Sequence, residues 1–185
     1  MADSNKTEDQ LFVAVHRDTA FIRVRERGSF KVSKPLKNFG AAAIDQGVRR
    51  IVVDLAECIG MDSTFMGVLA GIAFRLRAMK NGELYIVNLS ARTRGLLATL
   101  GLDQVAKPCM SGSTPEEFKP ILEAANRMTA MEAGEETRKD TAEMMLEAHE
   151  NLVELSPDNL PRFKDVLTFL RQDVHKARED DPEKT

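Results

Sequence analysis

The 185-residue chain contains only two cysteines, Cys58 and Cys109, far apart and in no CxxC arrangement. This excludes a disulfide framework, and with no histidine near either one it excludes a structural zinc site. Reduced thiols in a reducing compartment are the expectation. The three histidines, His16, His149 and His175, stand singly without metal-ligand spacing, so neither a metal centre nor histidine catalysis is expected. No apolar run approaches the roughly 20 residues that span a bilayer, so no membrane insertion is expected. Residues 1–9 are polar and acidic, unlike a secretory or transit segment, which points to the cytoplasm. A basic excess is also missing: the net charge is -3, which argues against general affinity for nucleic acid. There is no phosphate-cradling glycine loop of the Walker or Rossmann type and no acid–base pair. Neither an enzyme nor a cofactor is therefore expected.

What is present is ordinary for a soluble globular protein, with 43% hydrophobic and 30% charged residues. Residues 11–16 and 20–25 read as two strands joined by Arg17, Asp18 and Thr19. Leu36, Phe39, Ala43 and Ile44 then recur at helical spacing, with Ser33 as N-cap and Gly47 as stop. Residues 51–55 (IVVDL) form the clearest strand, apolar enough to be covered on both faces. After a short loop, Phe65, Val68, Leu69, Ile72, Leu76 and Met79 trace one helical stripe. Arg75, Arg77 and Lys80 fall at that helix's C-terminus, where the dipole favours cations. Residues 83–87 (ELYIV) give the next strand, and Ser90 caps a helix that carries Leu96, Leu97 and Leu100 and stops at Gly101. Alternating strands and helices in this order imply parallel pairing through right-handed crossovers.

The remainder is helical in pattern. Thr114-Pro115-Glu116-Glu117 has the form of a capping box, continued by Phe118, Ile121, Leu122, Ala125 and Met128 with a bend at Pro120. Met145, Ala148, Leu152 and Leu155 define a second helix ended by Ser156-Pro157. Phe163, Val166, Leu167, Leu170 and Val174 define a third, antiparallel to it across a short connection. The expected division is a flexible N-terminus (1–10), an α/β domain (11–110), a helical extension (111–180) and a frayed tail (181–185).

The segment with most information runs from a buried strand through Met61-Asp62-Ser63-Thr64 into an amphipathic helix. Asp62 stands where an N-cap belongs, and Ser63 takes the first helical position with its hydroxyl expected at the exposed helix entrance. An Asp-Ser-Thr run before a helix is by itself most often a cap. The segments VVDLAECIGMDSTFMGVL, GELYIVNLS and RGLLATLGL, in this order and spacing, resemble the STAS domain of anti-sigma factor antagonists. The resemblance implies a mixed β-sheet of four to five strands with helices mainly on one face, here followed by a C-terminal helical hairpin. It implies that Ser63, beside the acidic Asp62, is phosphorylated by a partner anti-sigma serine kinase and dephosphorylated by a phosphatase. Thr64 is the alternative acceptor. Phe65 departs from the glycine that the family often carries there, and residues 27–31 (RGSFK) are basic where an acidic residue is common.

The expected partner surface comprises Asp62, Ser63, Thr64 and Met66 with the neighbouring Ser90, Arg92, Thr93 and Arg94. For Met66 the competing expectation is the core, and for Arg92 and Arg94 a solvated helix start. The extension is expected to mediate oligomerisation or phosphatase docking, or else to pack on the domain as additional helices. A scaffold subunit of a signalling assembly or lipid-transport system is the alternative function.

Overall fold

The computed structural model describes residues 8–124, 127–132 and 134–180; residues 1–7 and 181–185, expected to be flexible and frayed, and Ala125 lie outside them. Strand β1 (Gln10–His16) returns as β2 (Thr19–Gly28) in antiparallel register, with His16 opposite Thr19. The turn thus has two residues instead of three, and Arg17 takes a φ of 56°. Positive φ is what a two-residue hairpin needs to match the twist of its strands.

Strand β2 organises the sheet. Its first half pairs in parallel with β3 (Arg50–Asp54), and its second half pairs in parallel with β4 (Cys58–Met61). Between Glu26 and Arg27 the register shifts, and Glu26 sits at φ 63°. Such a bulge re-aims the strand that carries it. Beyond β3 lie β5 (Glu83–Leu89) and β6 (Lys107–Met110), both parallel, while β7 (Thr129–Ala130) adds to the outer edge of β1. The order is β6-β5-β3-β2-β1-β7, with β4 on β2. Seven strands stand where four to five were expected, because β4, β6 and β7 are too short to show a period of two.

Helices α1 (Phe30–Asp45), α2 (Ser63–Arg77) and α3 (Ala91–Leu100) each follow a parallel strand. All three therefore begin at the carboxyl edge of the sheet, the edge where α/β folds present their functional groups. Helix α1 starts at Ser29, one turn before the expected Ser33. Ser33 is buried and donates its hydroxyl to the Ser29 carbonyl at 2.9 Å, a bond inside the helix and not a cap. Helix α3 carries a full capping box between Ser90 and Thr93 and closes on Gly101 at φ 84°.

The opposite face of the sheet is covered by a different device. The helix expected from residue 115 is reduced to a four-residue turn, α4 (Lys119–Leu122), and Thr114 does not cap it. Thr114 instead donates to Asn88 Oδ1 at 2.9 Å. Phe118, Ile121, Leu122 and Met128 lie on Phe21, Val52 and Val87, with the Phe118 ring edge-on to Phe21 and Tyr85. Their spacing serves this flat apolar surface and not a helix face.

The C-terminal hairpin is antiparallel as expected. Helix α5 (Arg138–Leu155) and helix α6 (Leu160–Glu179) are tied by Arg138–Asp173, Glu143–Arg178 and Glu150–Arg171 pairs. Between them Asn159 is buried, and its amide donates to the carbonyls of Leu152 and Leu100. One side chain thereby bonds carbonyls in the last turns of both α5 and α3. Met144, Ala148 and Leu152 enter the main core together with Leu69, Ile72 and Leu76 of α2. The sheet and α5 thus enclose α2 from opposite sides.

Candidate functional site

The site is built on Asp62, whose two carboxylate oxygens cap two helices. Oδ1 accepts from Phe65 N of α2 at 2.9 Å, and Oδ2 accepts from Phe30 N of α1 at 2.7 Å. Its own amide donates to the Gly28 carbonyl at 2.9 Å, so β2, α1 and α2 meet at this residue. Phe65 is fully buried with its ring against Gly28, where a Cβ would come within 2.6 Å of the ring. The aromatic ring at position 65 is accommodated because residue 28 has no side chain. Asp62→Ala removes both caps, each worth typically about 1 kcal/mol, and should lower unfolding stability by about 2 kcal/mol in a urea titration.

Ser63 is the first residue of α2 and is half-buried. Its hydroxyl does not stand free at the helix entrance, as the sequence led us to expect. It lies 3.0 Å from Nε2 of His149 on α5. The Nδ1 of the same ring is 2.7 Å from the Met145 carbonyl, which can only accept. Nδ1 therefore carries the proton, and in the neutral imidazole Nε2 accepts the Ser63 hydroxyl hydrogen. The ring is 3% exposed and packs edge-on against Phe163 of α6, with centroids 5.0 Å apart. His149, a single histidine in the sequence, has a defined partner in the fold.

The other expected site residues divide by burial. Thr64 and Met66 are buried in α2 and present nothing to a partner in this conformation. Thr93 is buried too, with its Oγ1 accepting from Ser90 N at 2.9 Å. Ser90, Arg92 and Arg94 are exposed at the start of α3, which packs on β4, the strand that leads into Ser63. Neither arginine makes an ion pair among the described residues. The surface available around Ser63 is thus smaller and more basic than the sequence alone suggests.

The outer face of α2 is shaped for close approach. A Cβ on Gly67 would lie 2.1 Å from the Ala148 carbonyl oxygen, and one on Gly71 would lie 2.6 Å from Asn151 Nδ2. Asn151 Nδ2 donates to the Gly67 carbonyl at 3.2 Å. Gly67 lets the backbones of α2 and α5 come together, Gly71 leaves room for the Asn151 side chain, and the pairs Lys37–Glu147 and Lys34–Asp140 tie α1 to α5 alongside. Among the described residues no group of three or more His, Cys, Asp or Glu could hold a metal ion, and no helix is long and apolar enough to cross a membrane.

The family model described as "Mlab, STAS domain" matches residues 11–110. Among solved structures, a candidate anti-sigma factor antagonist from Thermotoga maritima is 16% identical with a TM-score of 0.49, over 62% of this chain and 93% of its own. The anti-sigma factor antagonist SpoIIAA in its unphosphorylated form is 22% identical with a TM-score of 0.48, over 62% of this chain and 98% of its own. Phosphorylated SpoIIAA from Bacillus is 23% identical with a TM-score of 0.47, over 62% and 97%. No curated relative matches. With the family match covering more than half of the 185 residues, the chain belongs to the STAS domain family.

Proposed function

We propose that this chain is a phosphorylation-controlled interaction switch of the anti-sigma-factor-antagonist kind. In this reading it acts in the cytoplasm, binds a serine kinase while Ser63 is unmodified, and is reset by a phosphatase. The observation that carries the reading is the position of Ser63 as first residue of α2, directly after the Asp62 cap. Free amides and the dipole at a helix N-terminus favour an anion, so a phosphate added there is compatible with the helix that bears it. It would bring about -1.5 to -2 charges beside the Asp62 carboxylate. A partner lying flat on this edge would have to desolvate that charge next to a like charge. Ser90, Arg92 and Arg94 supply the rest of the proposed contact, while Asp62 and Thr93 hold the two helix starts in place.

A penalty of about 3 kcal/mol suffices for more than a hundredfold loss of affinity. Titrating serine kinases of the same genome with unmodified and phosphorylated protein tests this. The expected result is a loss of at least a hundredfold on phosphorylation, and equal affinities would refute it. A second reading, a scaffold subunit of a signalling or lipid-transport assembly, is favoured by the "Mlab, STAS domain" match and by the hairpin on α2. It predicts a stable multi-protein complex in which kinase and ATP leave Ser63 unmodified.

A further inference from the structure

We propose that the α5–α6 hairpin is an intramolecular cover of the Ser63 surface, and that chemistry at Ser63 requires α5 to leave α2. The cover rests on the phosphorylation reading only for the reaction it would control; its existence is testable without any kinase.

Three observations carry the proposal. The first is the grip on the hydroxyl itself. The Ser63 Oγ lies 3.0 Å from a nearly buried imidazole that is fixed from behind by the Met145 carbonyl and from the side by Phe163. A phosphoryl group adds three oxygens beyond Oγ. They would have to share the half-buried helix entrance with a ring held at hydrogen-bond distance while α5 stays docked. Phosphoryl transfer moreover needs the attacking oxygen in line with the leaving group, with the donor nucleotide alongside. An acceptor hydroxyl already committed to His149 under a helix cannot offer that approach.

The second observation is that docking is specific and not merely apolar. Gly67 admits α5 to backbone contact, Gly71 leaves room for the Asn151 side chain, and Asn151 reaches across to the Gly67 carbonyl. The third is that the same helix presents both features to one side. His149, Ala148 and Asn151 are adjacent on α5, and Ser63, Gly67 and Gly71 follow at intervals of four along α2. The groove that receives the hairpin therefore runs directly into Ser63. One rigid movement of α5 would free the hydroxyl and the face of α2 together, the form of two-state element that a regulatory partner can bias.

The test uses the full chain carrying Ser63→Cys, with alkylation by iodoacetamide followed peptide by peptide at about pH 9, near the ordinary thiol pKa of about 8.5. Cys58 and Cys109 serve as internal references, since burial raises both thiols above their ordinary value. Alkylation at position 63 is expected to be slow in this protein. Adding Gly67→Leu, which places a side chain against the Ala148 carbonyl and leaves position 63 and His149 as they are, should accelerate it at least tenfold. Hydrogen exchange in α5 should rise in parallel while the sheet stays protected. Should Gly67→Leu not fold, Leu152→Ala, which loosens α5 from within the core, replaces it with the same expectation in smaller degree. Equal alkylation rates with and without an exchanging α5 would overturn the proposal, as would alkylation in the parent protein as fast as in an unstructured peptide. Failure of every kinase to modify Ser63 would instead count against the phosphorylation reading and leave the alkylation result standing.

Discussion

Asp54→Ala is expected to destabilise the fold by about 3–5 kcal/mol, the range for breaking a buried ion pair by removing one partner. Asp54 is 1% exposed and accepts from Arg23 Nε at 2.9 Å, Asn88 Nδ2 at 2.7 Å and Ala56 N at 3.0 Å. Its loss leaves the Arg23 guanidinium with only Glu57, at 3.9 Å and well exposed, and with the Leu122 carbonyl. Asn88, held at φ 57°, loses an acceptor while Thr114 still hangs from its oxygen. Arg23 and Asn88 help to attach the 114–122 segment to the sheet, beside the Arg50–Glu117 pair and the Phe118 contacts, so the second face should loosen along with the global loss. Guanidinium unfolding of Asp54→Ala and of Asp54→Ala with Arg23→Met separates the terms. The double variant should recover much of the loss, because the unpaired charge is gone. A loss under about 1 kcal/mol in the single variant would show that the network does not hold the fold.

Leu152→Ala should cost about 2–5 kcal/mol, the range for truncating a fully buried leucine. Leu152 has no solvent exposure and shares the main core with α2. The effect is expected first in α5, read as lost amide protection in native-state hydrogen exchange, because locally packed elements open before the whole domain. A change of 2 kcal/mol raises an open population about thirtyfold. Burial of Met144 and Leu152, at about 1.5–3 kcal/mol each before the cost of ordering the hairpin, favours the docked position. An appendage that packed only loosely would instead show less than about 1 kcal/mol. Chains ending before α5 should then keep full stability, although the Gly67–Gly71 face of α2 would be bare.

Much of this arrangement was legible in the sequence. The IVVDL strand, the Asp62 cap, the Ser90 cap with its Gly101 stop and the Ser156-Pro157 break each follow from one local rule, and the structure has them where those rules put them. What escaped were long-range effects. Thr114 looked like a helix cap, yet its hydroxyl serves Asn88, 26 residues back in sequence. Phe118, Ile121, Leu122 and Met128 had helical spacing, but the flat apolar face of the sheet took those side chains instead. His149 appeared isolated because its partner Ser63 is 86 residues away. One signal could have exposed the cover. In α2 every residue from Thr64 to Ala70 is buried, and the run TFMGVLA is free of charge all round. A helix apolar on every face needs a second covering layer, and the amphipathic stripes after residue 137 were among those left to supply it.

The central claim is that Ser63 is the modified position of a switch at the start of α2. Incubation with serine kinases of the same genome and ATP, followed by mass-spectrometric mapping, tests it most directly. The account predicts one phosphate at Ser63, absent in Ser63→Ala, with faster incorporation in Gly67→Leu. Phosphate on Thr64 or elsewhere in Ser63→Ala at an undiminished rate, or none on Ser63 when α5 is displaced, would contradict it.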